Sequence, residues 1–355
     1  MFNPRCLKKI ACAACVLLLI AVSGCGRPPP PIERESFVFG TRVNLLIASA
    51  PEPKADEAAA AVLREFDRLH RAYHAWQPSE LTAVNEALAA GRSVTVGPEL
   101  RDFIFEARAL AAQGEYRFDP GIGRLIELWG FHTEDFQPQL PDAAALAAWR
   151  KNPASIAQLR QEGETLSSDN PALALDFGGY LKGVALDRAA VILKAHGIKN
   201  ALINIGGNVM ALGDKNGKPW KVGIQHPRQP GPLAILELRD GEAIGTSGDY
   251  QRYFELAGQR YSHLIDPTTA APVRHTQAVT VLIPPGDKAG TLSDALSKPV
   301  FIAGSEDWQA VAQKIGAPAV LRVDASGEIQ ITPALNARLD FVGKPVVKVM
   351  PDALN

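Results

Sequence analysis

Apolar and polar positions alternate through Phe37–Ala48, a β-branched run that predicts a strand with a glycine break at Gly40-Thr41. Lys54–Tyr73 changes period: Ala58, Val62, Phe66 and Leu69 fall on one face of a helix. A second helix is predicted over Pro98–Gln113, with proline in its first turn and Gly114 closing it. Residues 132–170 show weak periodicity and read as peripheral. Beyond them the pattern predicts a short apolar strand, Ala172–Phe177, a Gly178-Gly179 turn, and a helix Leu181–Ala195 ended by Gly197. Strand-like runs follow at 200–205, 220–225, 233–239, 252–256 and 277–283. Helices at about 287–298 and 305–315 precede two last strands. The fold class is therefore mixed α/β, of the α+β kind, with a mainly antiparallel sheet flanked by helices in one large domain.

Composition narrows the function. The 355 residues are 46% hydrophobic and 21% charged, which excludes a disordered or fibrous chain. Lys+Arg 37 against Asp+Glu 38 gives no bulk attraction to nucleic acid, and leaves room for a local basic pocket that takes a phosphorylated small molecule.

All four cysteines, Cys6, Cys12, Cys15 and Cys25, lie near the N-terminus. Arg5, Lys8 and Lys9 precede an apolar run, Ile10–Val22, of signal-peptide length. Val22-Ser23-Gly24-Cys25 resembles a bacterial lipobox, in which the cysteine is lipidated; the alternative is a plain secretory signal with an incidental cysteine. The lipobox reading divides the chain into a signal peptide (1–24), lipidated Cys25 with a Pro28–Pro31 spacer (25–35), a catalytic domain (36–345) and a tail (346–355). It implies a periplasmic protein anchored to the inner or outer membrane through its lipid. After cleavage no cysteine other than Cys25 remains, so thiol catalysis and Cys-ligated zinc are excluded from the domain.

Four constellations could carry chemistry. In Asp176-Phe177-Gly178-Gly179-Tyr180-Leu181-Lys182-Gly183 an acid, two glycines and a helix start with a lysine converge, a setting that favours phosphate or equally serves as a plain turn. Asn204-Ile205-Gly206-Gly207-Asn208 is either a tight turn or a binding loop. Gly245–Tyr250 and Tyr261–Pro267 bring hydroxyls, Asp249, His263 and Asp266 close in sequence, without the Gly-x-Ser-x-Gly elbow of many serine hydrolases. Asp294 and Ser297 lie three apart on a predicted helix, so their oxygens could share Mg2+, or form a cap and a solvated face.

Taken together and in order, Asp119–Leu125, Leu128–Phe131, ALDFGGYLKGVALDRA, ALINIGGNV, WKVGIQHP, TSGDYQRYFE, YSHLIDPTTAAPV and SDALS resemble the ApbE family of FAD:protein FMN transferases. The resemblance runs from Phe39-Gly40-Thr41 to about residue 330 and implies the ApbE-like fold. It implies cleavage of FAD, attachment of FMN to a Thr or Ser hydroxyl of an acceptor flavoprotein, and release of AMP. An FAD pyrophosphatase and a non-catalytic FAD-binding lipoprotein are the alternatives.

Carried over by position, it implies flavin contacts at Phe39, Trp76, Arg117, Phe118, Asp119, Asp176, Lys182 and Ile265. It implies a metal shell of the Gly179 carbonyl, Asp294 and Ser297 around Mg2+, and catalytic roles for His263 as base, Asp294 and Lys182. Two departures stand out. Lys298 occupies the position of a metal-binding threonine, which predicts weakened or replaced metal; Ala270 occupies a usual glycine, which costs on the order of 1 kcal/mol if the turn needs positive φ.

Overall fold

The computed structural model describes residues 29–133, 135 and 137–351, so Cys25 and the predicted signal lie outside it. The described residues from Ile32 onward form one compact unit. Its centre is a nine-stranded sheet whose spatial order follows the chain: Ile32–Val38, Thr41–Ala48, Asn200–Ile205, Asn208–Leu212, Ala243–Gly248, Thr276–Ile283, Ala319–Asp324, Ile329–Ile331 and Val347–Val349. Neighbours pair antiparallel except the last two. The sheet thus takes in Ile32–Glu35, read from sequence as spacer, and Val347–Val349, read as tail.

The interior strand Thr276–Ile283 is buried at every position, because both faces of the sheet are covered. Val279, Val281 and Ile283 face a core shared with Val62, Phe66, Leu186, Phe301 and Trp308 from the helices Glu52–Ala72, Leu181–Ala195 and Ala289–Lys314. Ala278 and Leu282 face a second core with Trp220, Leu236 and Leu238, carried by a three-stranded sheet of Trp220–Gln225, Pro232–Leu238 and Leu339–Phe341.

Several predicted elements change form. The glycine break in Phe37–Ala48 is a two-residue hairpin turn: Val38 pairs with Thr41, and Phe39 and Gly40 take φ of 58° and 66°. Ala172–Phe177 is not a strand. Its backbone bonds instead to Pro120 O and Gly121 O, and to the side chain of Asn85, which accepts from Leu175 N at 2.7 Å and donates to Leu175 O at 2.9 Å. Asn85 sits on the helix Glu80–Ala89 and replaces a strand neighbour with one amide. The two C-terminal helices run on through Pro299 and break at Gly304, with φ 81°, instead of stopping at 298. Among the described residues no helix is long and apolar enough to cross a membrane.

Candidate functional site

A cavity of about 810 Å³ opens between the helix side of the sheet and the loops around residues 74–77, 117–119 and 131–133. That is the size of a small-molecule site. Phe39, Trp76, Arg117, Phe118, Asp119, Asp176, Gly179, Lys182, His263, Ile265 and Asp294, all singled out from the sequence, line it together with Lys298. Ser297 does not line it. Its hydroxyl lies behind the wall, 2.8 Å from Ser247 Oγ and donating to Asp294 O at 2.8 Å.

The first constellation forms the floor. Asp176 accepts from Gly178 N at 2.6 Å and is bonded by the Trp76 side chain; burial raises its pKa. Lys182 reaches back to donate to Gly178 O at 2.9 Å. Several of the expected helix-terminus donors are already occupied: Tyr180 and Leu181 N–H groups bond Phe177 O, Val184 N bonds Tyr180 O, and Gly183 N donates to Asp294 Oδ2 at 3.0 Å. Phosphate affinity there therefore draws on the lysine side chains more than on those bonded N–H groups.

Asp294 is fully buried. Burial would raise its carboxyl, but Lys182 and Lys298 outweigh that and hold it below the ordinary value. Lys298 donates to Asp294 Oδ1 and, at 2.7 Å, to Asp294 O; burial lowers its ammonium to about 8 despite that partner. The stem of Lys298 passes Gly179, where an added Cβ would lie 3.3 Å from Lys298 Cε.

His263 Nδ1 lies 3.1 Å from Arg252 O, an acceptor, so the ring is held as the Nδ1–H tautomer with the Nε2 lone pair available. Burial first, then the charge of Arg252, pushes its pKa down to about 3. The residues beside it in sequence go elsewhere. Asp249 forms a bidentate pair with Arg228 at 2.7 and 2.6 Å, and Asp266 closes its own turn on Thr268 N and Thr269 Oγ1. Asp119 Oδ1 is also taken, by Gly121 N and Ile156 N, both at 2.8 Å, so it fixes two loops while it lines the cavity.

The second constellation is a tight turn: Gly206-Gly207 is the hairpin turn between Ile205 and Asn208, and Gly206 also lines the cavity. Ala270 has φ 55°, as the glycine position required. Sequence reasoning missed His74 and Arg252. His74 Nδ1 accepts from Trp76 N and Gln77 N, both at 3.0 Å, and so shapes the loop that presents Trp76. Arg252 donates to Phe131 O and Thr133 O, each at 3.0 Å, and its carbonyl orients His263. The His-x-Trp spacing and the arginine inside TSGDYQRYFE were the available signals.

The family model described as the ApbE family matches residues 39–321. A relative from Rhodobacter capsulatus named FAD:protein FMN transferase is 40% identical over 333 residues; the match covers 94% of this chain and 63% of that relative. Another of that name, from Vibrio cholerae serotype O1, is 33% identical, with 86% of this chain and 91% of the relative covered. The crystal structure of an ApbE protein from Thermotoga maritima superposes with a TM-score of 0.78 at 30% identity, over 87% of this chain and 99% of that one. With the family matched over most of its length, the chain belongs to the ApbE family.

Proposed function

We propose that this chain is an FAD:protein FMN transferase. The observation that carries the reading is the convergence of Lys182, Lys298 and His263 on one cavity walled by Phe39, Trp76 and Phe118. Aromatic walls suit the flavin and adenine rings, and the lysines suit the diphosphate between them. The acceptor Ser or Thr oxygen attacks the FMN-side phosphorus and forms a P–O bond. The bond from that phosphorus to the bridging oxygen breaks, AMP leaves with that oxygen, and the hydroxyl proton passes to His263 Nε2. Burial, and then the charges of Arg252, Lys182 and Lys298, depress His263; a bound diphosphate offsets those charges and raises its basicity.

The Mg2+ implied by the resemblance does not fit the residues here. Asp294 Oδ2 serves Gly183 and Oδ1 serves Lys298, and Ser297 bonds Ser247 behind the wall. Among the described residues no group of three or more His, Cys, Asp or Glu could hold a metal.

Incubating the protein with FAD and a Ser/Thr-bearing acceptor domain, then analysing by mass spectrometry, tests the reading. FMN on the acceptor with free AMP supports the transferase; free FMN with AMP makes it a pyrophosphatase; unchanged FAD makes it a binder. We also propose a Cys25 lipid anchor and a periplasmic location, on the lipobox and the proline spacer. Palmitate labelling that persists in Cys25→Ala would refute the anchor.

A further inference from the structure

The donor set that rejects a divalent ion contains a cation already. An ammonium has three N–H donors and no acceptor. In Lys298 two of these go to Asp294, to its carboxylate and its carbonyl, and the side chain lines the cavity beside Lys182. The ion pair is anchored from behind as well. Asp294 Oδ2 accepts from Gly183 N, and the Lys298 stem is confined against Gly179, so the protein itself holds the ammonium in place.

We propose that Lys298 is the resident cation of this site, taking the place of a divalent ion in binding the diphosphate, so that the chain binds its dinucleotide without metal. The inference rests on the FAD reading of the cavity. The remaining N–H of Lys298 donates to a diphosphate oxygen, while Asp294 keeps the ammonium aimed. Lys182 supplies the second positive charge. Removing the ammonium uncovers Asp294 Oδ1, an oxygen donor of the kind Mg2+ or Mn2+ takes.

The test compares the wild-type protein with Lys298→Thr, using FAD and Mn2+ as probes. FAD affinity is measured with chelator and with Mg2+, and bound Mn2+ by electron paramagnetic resonance in the presence of FAD. The wild type is expected to bind FAD equally within about twofold in both conditions and to hold no stoichiometric Mn2+. Lys298→Thr is expected to lose about tenfold in affinity under chelator, to recover with Mg2+, and to bind Mn2+. A wild type that holds one Mn2+ per chain, or loses about tenfold in affinity under chelator, overturns the proposal whether or not the variant folds. Metal-independent FAD binding without transfer to any acceptor sinks the transferase reading and leaves this one standing; no FAD binding sinks both.

Discussion

Gly183 and Gly290 meet backbone to backbone: a Cβ on Gly183 would lie 2.5 Å from Gly290 O, and one on Gly290 2.6 Å from Gly183 O. Each of the two helices also caps the other. Asp294 of the helix Ala289–Lys314 accepts from Gly183 N, and Asp187 of the helix Leu181–Ala195 accepts from Gly290 N at 2.7 Å and Thr291 N at 2.9 Å. Lys182 and Lys298 reach the same cavity because the helices come this close. Alanine normally gains about 1 kcal/mol over glycine in a helix. Here the overlap is with backbone, which cannot move aside, so Gly183→Ala and Gly290→Ala should each lower stability by about 1–3 kcal/mol, read from urea unfolding.

Asp294→Ala removes the partner of a buried ammonium and the acceptor of Gly183 N. The expected loss is about 3–5 kcal/mol. Adding Lys298→Met should return part of it, because no unpaired charge is then left inside; a double variant no more stable than Asp294→Ala would show that the pair carries no coupling.

Asn85 holds Leu175 by two buried bonds. Asn85→Ala should cost about 2–4 kcal/mol by leaving both backbone groups unpaired. FAD affinity should fall with it, since Asp176 is the next residue.

His263 is neutral in the folded chain down to about pH 3, against 6.5 when unfolded. Between those values the unfolded chain binds the extra proton, so this group's stability is fully present above about pH 6.5 and is lost as pH falls toward 3. Urea midpoints of the wild type should therefore drop on acidification more than those of His263→Gln. As base, the same residue predicts that His263→Gln lowers transfer by about 10²–10⁴ while FAD still binds.

His74→Ala should disturb the loop that carries Trp76, weaken FAD binding about fivefold, and alter Trp76 quenching by flavin. His74→Asn, whose side-chain oxygen can accept the same two N–H groups, should recover part of both. Equal behaviour of the two variants would remove His74 as a positioning residue.

The periodic elements were legible in the sequence. The helices Pro98–Gln113 and Leu181–Ala195 match their predicted limits, because an amphipathic stripe with proline or glycine at its ends is local information. The residues of the cavity were legible only through their motifs, and their partners were not. Asp249 and His263 are near in sequence, yet one turns to Arg228 and the other to the cavity.

By itself, then, the sequence determined the α+β class, the apolar faces and the chemistry on offer: lysines, acids, a histidine and aromatic rings in a family's order. The tertiary structure alone decided which groups were already spent. The Tyr180, Leu181 and Gly183 donors went to Phe177 and Asp294, one Asp119 oxygen to two loops, Leu175 to an amide ninety positions earlier in the chain, and Asp294 to Lys298. Hydrogen-bond satisfaction is a property of the packed whole, where a buried donor takes whichever acceptor the fold brings to it, and no periodicity records that choice.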